Sequence, residues 1–434
     1  MGVRKLHMRQ AYRIIPIYTA DVSGVCSALY ELGGMTVMHD PSGCNSTYNT
    51  HDEIRWYEQD SLIFISGLTD IDAIMGNDEK FLADIREAAE ELQPKFIALA
   101  SSPIPFMNGT DFLGLARALT AETGIPAFSV PTSGMHDYVY GAGLALAEIA
   151  RLFVKAKNKD KVLPDKEEIQ RLKVNLLGVT PLDFGPQLLV DDMKKRLEQS
   201  GFEVLSTWAM GDTLETLAKA GEADVNLVVS SVGIPAANVL REKFGTPFVV
   251  GTPLDGCMEE ICAALWNAVK ENRSRDQEEQ IQQNQMGCQK VNLDQAKYGR
   301  TEALWQVTPE QVIYLNAQSD LQYRTGTEFS PELTIIGEPV TMGSLAAMIE
   351  KKYKKRVQLL CPLEITAGLL RPGDEAVQGE EAMEEKLKTA KHILADPLYR
   401  PICPESAEFH ELPHIAFSGR MYLKDIKKYG KQIY

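Results

Sequence analysis

The chain has 434 residues, of which 44% are hydrophobic and 24% charged, and its formal net charge is −15 at pH 7. This length predicts about three domains with a sizeable core, and the acidic balance argues against a nucleic-acid partner, which would need a basic surface. No apolar stretch approaches the ~18 residues of a membrane span, and no leader pattern is present. We therefore expect a cytoplasmic protein without membrane contact, and seven scattered cysteines fit a reducing compartment.

Strand-like and helix-like segments alternate along the first part of the chain, which is typical of a parallel α/β sheet. The predicted strands are Met35–His39, Ala73–Met75, Phe96–Ala100 and Ala127–Val130, and the predicted helices are Glu79–Leu92, Asp111–Thr120 and Ala142–Ala156. The segment from Lys155 to Pro164 is charged and lacks apolar periodicity, so it predicts a linker. We therefore place the first domain at residues 1–160.

A second unit is predicted at residues 165–275. Its strands are Val174–Gly178, Glu203–Ser206, Val225–Ser230 and Phe248–Val250, and its helices are Gln187–Ser200, Ala236–Phe244 and Met258–Glu271. The glutamine-rich segment Glu271–Gln289 is almost wholly polar, so it predicts an exposed helix or bridge.

The third unit is predicted within residues 276–434. It contains strands Leu333–Ile336 and Arg356–Leu360, helices Ser344–Lys354 and Glu380–Leu394, and a basic tail at Lys424–Tyr434. The sequence thus predicts an α/β protein of three Rossmann-like, doubly wound domains around a central cavity. Open α/β sheets bind ligands outside the carboxyl ends of their strands, so the three units would enclose a site between them.

Two cysteines, Cys26 and Cys44, lie in segments of small residues that favour turns, at 22–26 and 41–44. Gly43 gives the backbone freedom just before the second sulfur, and Pro41 fixes φ two residues earlier. Little side-chain bulk would separate either thiolate from an iron–sulfur cluster. The alternative is that both are small buried hydrophobes, since two cysteines do not supply the four thiolates of a four-iron cluster.

The hexapeptide His39–Cys44, with a cysteine 18 residues before its end, resembles the nitrogenase component 1 family. That family comprises the MoFe-protein subunits, their cofactor-scaffold homologues, and the catalytic components of dark-operative protochlorophyllide reductase and of the coenzyme F-430 pathway reductase. The resemblance covers nearly the whole chain. Its other motifs lie at residues 67–76, 100–102, 225–231, 240–248 and 412–419.

The resemblance implies a 4Fe-4S cluster at a subunit interface, with Cys26 and Cys44 as its ligands in this chain. The family's nitrogenase α subunit has a third cysteine where this chain has Pro103, which cannot ligate. Two cysteines from each half of a twofold homodimer would complete the ligand set. A heterodimer with a paralogous, cysteine-bearing subunit is the main alternative.

Other positions narrow the function that the resemblance implies. Ser230 stands where the nitrogenase α subunit holds its iron–molybdenum cofactor by a cysteine, and a serine alkoxide is a poor ligand for soft iron. The resemblance therefore argues against nitrogen fixation. His136 and His414 fall in loops that the family uses near its central cavity, which makes them candidate proton donors to a substrate, with a structural role as the alternative. The remaining cysteines are predicted to be structural: Cys257, Cys262, Cys288, Cys361 and Cys403.

The sequence contains no G-x-x-x-x-G-K-[ST] phosphate loop, so we expect no ATP hydrolysis by this chain. The resemblance implies a separate ATP-hydrolysing 4Fe-4S protein, similar to the nitrogenase Fe protein, as the electron donor. The cluster would relay electrons to a substrate or a second metallocofactor in the cavity. Three hypotheses remain: a reductase of a tetrapyrrole, a small molecule or a sulfur compound; a scaffold that carries or matures a cluster; and a cluster-free relative kept for interaction.

Overall fold

Three parallel sheets organise the chain. The computed structural model describes residues 11–41, 53–56, 58–156, 171–286, 301–316 and 330–426, with only the backbone described for 275–286. Their strands are β1 (Met35–His39), β2 (Leu62–Ile65), β3 (Ile97–Ser101), β4 (Ala127–Val130), β5 (Leu172–Val179), β6 (Phe202–Ala209), β7 (Val225–Val228), β8 (Phe248–Val250), β9 (Leu333–Ile336), β10 (Val357–Cys361), β11 (Glu375–Ala376), β12 (His392–Ala395) and β13 (Glu408–Glu411).

Helices cover the sheets and connect their strands. They are α1 (Asp21–Leu29), α2 (Asp70–Met75), α3 (Asp78–Leu92), α4 (Pro103–Asn108), α5 (Phe112–Thr123), α6 (Tyr138–Leu152), α7 (Pro181–Phe184), α8 (Gln187–Gln199), α9 (Leu214–Leu217), α10 (Ile234–Phe244), α11 (Met258–Met286), α12 (Ile313–Asn316), α13 (Pro339–Tyr353), α14 (Glu380–Leu387) and α15 (Ile415–Ser418). Among the described residues, no helix has both the length and the apolar composition that a membrane crossing requires.

The strand orders are those of doubly wound folds. The first sheet runs β2-β1-β3-β4, the second β6-β5-β7-β8, and the third β11-β10-β9-β12-β13, and the strand pairs within each sheet are parallel. Every residue of β3 and of β7 is buried, because helices cover both faces of such a sheet. These observations confirm the predicted α/β class.

Each sheet has one point at which the winding of the chain reverses. The strands on either side of it are β1 and β3, β5 and β7, and β9 and β12. Ligands of open α/β sheets bind in the crevice at the carboxyl ends of such strand pairs. The loops after these six strands therefore hold the first residues to consider for a site.

The prediction of a strand at Ala73–Met75 is wrong, because these residues end helix α2. The Thr69 hydroxyl accepts a hydrogen bond from the Asp72 backbone N–H at 3.2 Å, and acidic residues fill the first turn of the helix. Capping and the helix dipole outweigh a three-residue apolar run that resembles a strand. The strand of this region is β2, which the sequence reading missed.

The predicted helix Glu380–Leu394 is wrong in its second half. Helix α14 ends at Leu387, and His392–Ala395 forms strand β12 between β9 and β13. Ile393 and Ala395 are buried in the sheet, so their strand pairing decides the local structure. Strands β11 and β13 were also not predicted.

The proposed domain boundaries stay predictions. Most of the predicted linker at 155–164 lies outside the described residues, which resume at 171. Helix α11 continues through the boundary proposed at 275/276, in agreement with a helical bridge over the polar segment.

Helices α1 and α6 pack closely at the centre of the first unit. A Cβ on Gly24 would lie 2.2 Å from the carbonyl oxygen of Tyr138, and one on Gly141 would lie 1.9 Å from that of Asp21. Both positions therefore require glycine for the helices to approach this closely. The contact buries all nine residues of α1, including Cys26.

Candidate functional site

Cys26 lies inside helix α1, so the turn-like setting predicted for it is wrong. Its side chain is fully buried. Burial, and next the negative charge of Glu53, raise the pKa of the Cys26 thiol well above its ordinary value. The glycine near this cysteine serves the packing of α1 against α6 and does not form a turn.

Cys44 lies outside the described residues, but both ends of the segment that carries it are described. The described residues before this segment, 42–52, end at Pro41, two residues after β1, and the described residues after it begin at Glu53. The Glu53 carboxylate accepts a hydrogen bond from the Ser27 hydroxyl at 3.1 Å, directly beside Cys26 in the sequence. One end of the Cys44 segment is therefore fixed to the helix that carries Cys26.

A buried arginine secures this attachment. Arg55 Nε lies 2.7 Å from a Glu53 carboxylate oxygen, and the guanidinium also reaches the Glu31 carboxylate at 2.8 Å and the Ser27 carbonyl at 2.8 Å. Its guanidinium carbon lies 4.5 Å from the ring centroid of Tyr30. The Arg55 side chain is only 5% exposed, so the network is largely removed from water.

The chemistry of these residues fits one corner of an iron–sulfur cluster. Thiolate is the ligand that such iron takes, and binding of a metal deprotonates a thiol even where burial disfavours the free anion. The other described cysteines lie in later units of the chain: at the end of β10, at and just before the start of α11, and between β12 and β13. Pro103 begins helix α4 and offers no donor. Among the described residues, Cys26 is therefore the one candidate thiolate ligand for such a cluster.

The winding-reversal points of the second and third sheets meet each other. Glu338 follows β9, and one of its carboxylate oxygens accepts from the backbone N–H of Ser231, beyond β7, at 2.8 Å. The other oxygen accepts from the backbone N–H and the hydroxyl of Thr341 at 2.7 and 2.8 Å. Burial, and next the charge of Asp183, raise the pKa of Glu338.

Asp183 connects the region around Glu338 and Ser231 to the first unit. One of its carboxylate oxygens accepts from the hydroxyl of Tyr138 at the start of α6, and the other accepts from the Thr180 hydroxyl at 3.0 Å. Burial, and next the negative charge of Asp183, raise the pKa of Tyr138. We call the group Tyr138, Asp183, Glu338 and His414 the central junction, because all three units contribute to it.

His414 completes the central junction. Its ring stacks on Phe417 with centroids 4.4 Å apart, and its backbone N–H donates to Asp396 at 2.7 Å. Its Nε2 lies 3.5 Å from Asp183 Oδ1, yet neither ring nitrogen has a hydrogen-bond partner among the described residues. A cavity of about 30 Å³ adjoins the ring, which is room for one or two waters. A buried imidazole without a partner is unfavourable, and the adjoining cavity has room for a water or a small ligand that would bond to it.

His136 lies apart from this arrangement. Its side chain is 41% exposed, and its Nδ1 lies 2.8 Å from a carboxylate oxygen of Glu364 in the third unit. The ring also stacks on Tyr140 with centroids 4.2 Å apart. These contacts tie the start of α6 to the third unit, which favours the structural alternative for His136.

Comparison with known proteins identifies the family. The family described as nitrogenase component 1 type oxidoreductase matches residues 24–299, more than half of the chain. The chain belongs to this oxidoreductase family. The matched range includes Cys26, Cys44 and two members of the central junction, Tyr138 and Asp183.

Three curated relatives are similar to parts of the chain. A subunit of the light-independent protochlorophyllide reductase of Rhodopseudomonas palustris (strain TIE-1) is 28% identical over 179 residues, covering 41% of this chain and 33% of that protein. The nitrogenase iron-molybdenum cofactor biosynthesis protein NifE of Methanosarcina barkeri is 24% identical over 222 residues, which cover 49% of this chain and 46% of that protein. The nitrogenase molybdenum-iron protein alpha chain of Azospirillum brasilense is 26% identical over 261 residues, which cover 55% of this chain and 51% of that protein. The matches thus span a third to a half of these relatives.

Solved structures share the fold. The structure of nitrogenase Cp1 at pH 5 has a TM-score of 0.57 and 15% sequence identity, covering 98% of this chain and 89% of that one. The structure of the same protein at pH 6.5 has a TM-score of 0.52, covering 98% and 74%. At this identity the likeness supports the three-sheet architecture of the family.

Ser230 has a structural role in this family member. Its hydroxyl donates to the Gly178 carbonyl at 2.7 Å, and the side chain is fully buried. A Cβ on Gly178 would lie 2.8 Å from this hydroxyl oxygen, so the two loops fit tightly. The hydroxyl that stands in the predicted cofactor position is therefore engaged in holding β5 to the loop after β7.

The sequence reading missed three members of the central junction. Tyr138, Asp183 and Glu338 belong to no catalytic motif, and their partners are distant in the sequence. A signal was nevertheless present. Asp183 and Glu338 are the first acidic residues after β5 and β9, the opening strands of their sheets, where doubly wound folds place ligands.

Asp137 gives the protein a pH-dependent stability. Its carboxylate accepts from the backbone N–H of Val139 at 3.0 Å and of Glu364 at 2.8 Å, and burial raises its pKa from an ordinary 3.8 to about 6. Ionisation of a group whose pKa is higher in the folded state opposes folding. We therefore expect the free energy of unfolding to lose up to about 3 kcal/mol from this residue as the pH rises from about 4 to about 6.

The variant Asp137→Asn lacks this titration. As the pH rises through that window, the wild type should lose this stability and the variant should not. Urea unfolding measures the free energy of unfolding of both proteins at each pH. Asp111→Asn, which also removes the carboxylate cap of a helix, is the matched control. A wild-type-minus-variant difference that is independent of pH would contradict the assignment.

Proposed function

We propose that this chain is the catalytic component of a nitrogenase-like reductase that does not fix nitrogen. It receives low-potential electrons from a separate ATP-hydrolysing iron–sulfur protein and delivers them to a substrate or second metallocofactor. The observation that carries the proposal is the match of residues 24–299, which include Cys26 and Cys44, to an oxidoreductase family.

Cys26 and Cys44 of two copies of the chain would together hold one 4Fe-4S cluster. When bound, such a cluster supplies one-electron transfer at low potential. Helix α1 holds Cys26 in a dry position, and the Glu53–Arg55 network binds Glu53, the first described residue after the Cys44 segment, to this helix. A heterodimer with a paralogous subunit is the alternative source of the second pair of cysteines.

The central junction would supply protons to a reduced substrate. The Tyr138 hydroxyl donates to Asp183, and His414 Nε2 lies 3.5 Å from the same carboxylate oxygen. An imidazole and a carboxylate with a buried tyrosine form a short chain along which a proton moves. His414 faces the cavity, which makes it our candidate donor, with Asp183 as its positioning residue.

Catalytic oxidation of the electron donor tests this function. The reduced ATP-hydrolysing iron–sulfur protein of the same organism is mixed anaerobically with this chain, ATP and fractions of small molecules from that organism. A reductase oxidises the donor over many turnovers when the fraction with its substrate is present. Oxidation that stops after one electron per cluster with every fraction would contradict the proposal.

A scaffold that carries or matures a metal cluster is the second candidate. The similarity to a relative named as an iron-molybdenum cofactor biosynthesis protein favours it. A scaffold would transfer a labelled iron cluster to an acceptor protein and would not turn over. Measurement of ⁵⁷Fe transfer, alongside donor oxidation, separates the two functions.

Replacement of His414 is expected to abolish activity without lowering the stability of the protein. In His414→Phe the ring that stacks on Phe417 is retained, and two buried nitrogens without partners are removed. We expect unchanged or higher stability, by up to about 1 kcal/mol, together with loss of donor oxidation.

His39→Phe is the matched control for this variant. The His39 ring is also largely buried and packs on Phe81, but its Nδ1 is hydrogen-bonded to the Ser66 hydroxyl at 2.7 Å. Loss of that bond is expected to lower stability by about 1 kcal/mol. If urea unfolding shows His414→Phe to be the more destabilised of the two, His414 has a structural role.

A further inference from the structure

We infer that strands β12 and β13 carry a site for a divalent transition metal ion such as Zn²⁺, formed by His392, Glu408 and His410. The two strands pair in parallel with His392 opposite Glu408, and His410 follows two residues along β13. Alternate residues of a strand lie on one face, so all three side chains share the same side of the sheet. The inference does not depend on the proposed reductase function.

The three side chains already converge. His392 Nδ1 lies 3.2 Å from one Glu408 carboxylate oxygen, and His410 Nε2 lies 3.7 Å from the other. The two rings are nearly parallel, at 17° with centroids 6.2 Å apart, and one ligand atom from each residue lies within 4.8 Å of the others. Metal–ligand bonds of about 2.0–2.2 Å require these atoms to draw closer by roughly 1 Å, which rotation of exposed side chains provides.

The donor set suits this class of metal. Two imidazoles with one carboxylate form a set that zinc uses when a further position stays open to water. The three side chains are 48%, 64% and 46% exposed, so water has access to that position. Neutral imidazole favours zinc, nickel and copper over magnesium or calcium.

The strand beneath the site is fixed in register. Phe409, on the opposite face of β13, packs against the core, and the Arg400 guanidinium lies 4.8 Å from its ring centroid. Arg400 also lies 2.6 Å from the carboxylate of Glu411, at the end of the strand. Side chains on the other face of β13 therefore hold the register that brings the three ligands together.

The position of the site suggests what a bound ion does. Strand β12 leads directly to Asp396, and β13 leads through Leu412 and Pro413 to His414. The Asp396 carboxylate accepts the backbone N–H of His414 at 2.7 Å, so the ends of the two strands are already linked. A metal ion that bridges the beginnings of β12 and β13 would hold the edge strand β13 to the sheet and restrict the motion of the loop that carries His414.

Zinc titration of the full-length chain tests this site. The protein is purified anaerobically with its bound groups, treated with a mild chelator, and titrated with Zn²⁺ in a calorimeter. We expect the wild type to bind one more Zn²⁺ per chain than His392→Ala/His410→Ala, and to melt at a higher temperature when zinc is added. We expect Glu408→Gln to bind at least about tenfold more weakly, the range that loss of even an outer partner produces.

Glu405→Gln is the matched control, because Glu405 is an exposed acid in the turn before β13. We expect it to bind zinc as the wild type does. All the substituted side chains are exposed, so equal melting of the zinc-free proteins is expected and shows that each variant folds. An equal zinc stoichiometry in the wild type and the double histidine variant would overturn the inference, as would a loss of binding in Glu405→Gln equal to that in Glu408→Gln.

Discussion

Replacing Cys26 with alanine is expected to remove the iron from the protein. We expect four irons per two chains in the anaerobically purified wild type and close to none in Cys26→Ala, because each variant dimer would lack two of four thiolates. The electron paramagnetic resonance signal of the reduced cluster disappears with the iron, and so does oxidation of the electron donor. Cys44→Ala is expected to behave in the same way.

Cys361→Ala is the matched control for this change. Cys361 ends strand β10 and is as fully buried as Cys26, so its replacement removes the same buried atom at a different place. We expect a loss of stability of about 1 kcal/mol in Cys361→Ala, with wild-type iron, and a larger loss in Cys26→Ala, which also lacks the bound cluster. Retention of the wild-type cluster signal in Cys26→Ala and Cys44→Ala would show that these cysteines are not ligands.

Arg55→Met is expected to have the second largest effect, because it affects both stability and the cluster. The variant leaves two carboxylates, of Glu53 and Glu31, without the guanidinium that compensates their charge. Removal of one partner from a buried ionic network costs about 3–5 kcal/mol. Glu53 would also lose the part of its attachment to α1 that Arg55 supplies, so we expect iron content to fall by at least half.

Arg371→Met separates these two effects. Arg371 is 4% exposed and contacts the carboxylates of Asp374 at 2.8 Å and Glu350 at 3.2 Å, in the third unit. Its loss should lower the free energy of unfolding by a similar amount, as measured in urea, while leaving the iron in place. If the two arginine variants lose equal iron, low stability explains the loss and the Arg55 network has no specific role at the site.

The local pattern of the sequence was sufficient for most strands. The predicted bounds Met35–His39, Ala127–Val130 and Leu333–Ile336 agree with the structure, because buried parallel strands appear as short apolar runs between turn residues. Helix α1 was missed for a physical reason. All nine of its residues are buried, so it lacks the polar face that makes a helix recognisable, and its glycine and serine residues favour turns.

The central junction could not be predicted in the same way. The bond between Ser231 and Glu338 joins residues 107 positions apart, and that between Tyr138 and Asp183 joins residues 45 apart. No local periodicity encodes such contacts, which depend on how three sheets pack. His414 was predicted through the family resemblance, and the structure adds the partners that surround it. The role of Cys44 still rests on that resemblance together with the attachment at Glu53.

In the proposed assembly, two copies of this chain share one cluster through Cys26 and Cys44. Native mass spectrometry of the anaerobically purified protein tests it most directly, because it weighs the intact assembly with its bound iron and sulfide. We predict a dimer of identical chains whose mass exceeds that of two polypeptides by one 4Fe-4S cluster. An iron-free monomer, or a complete cluster on each single chain, would contradict the account.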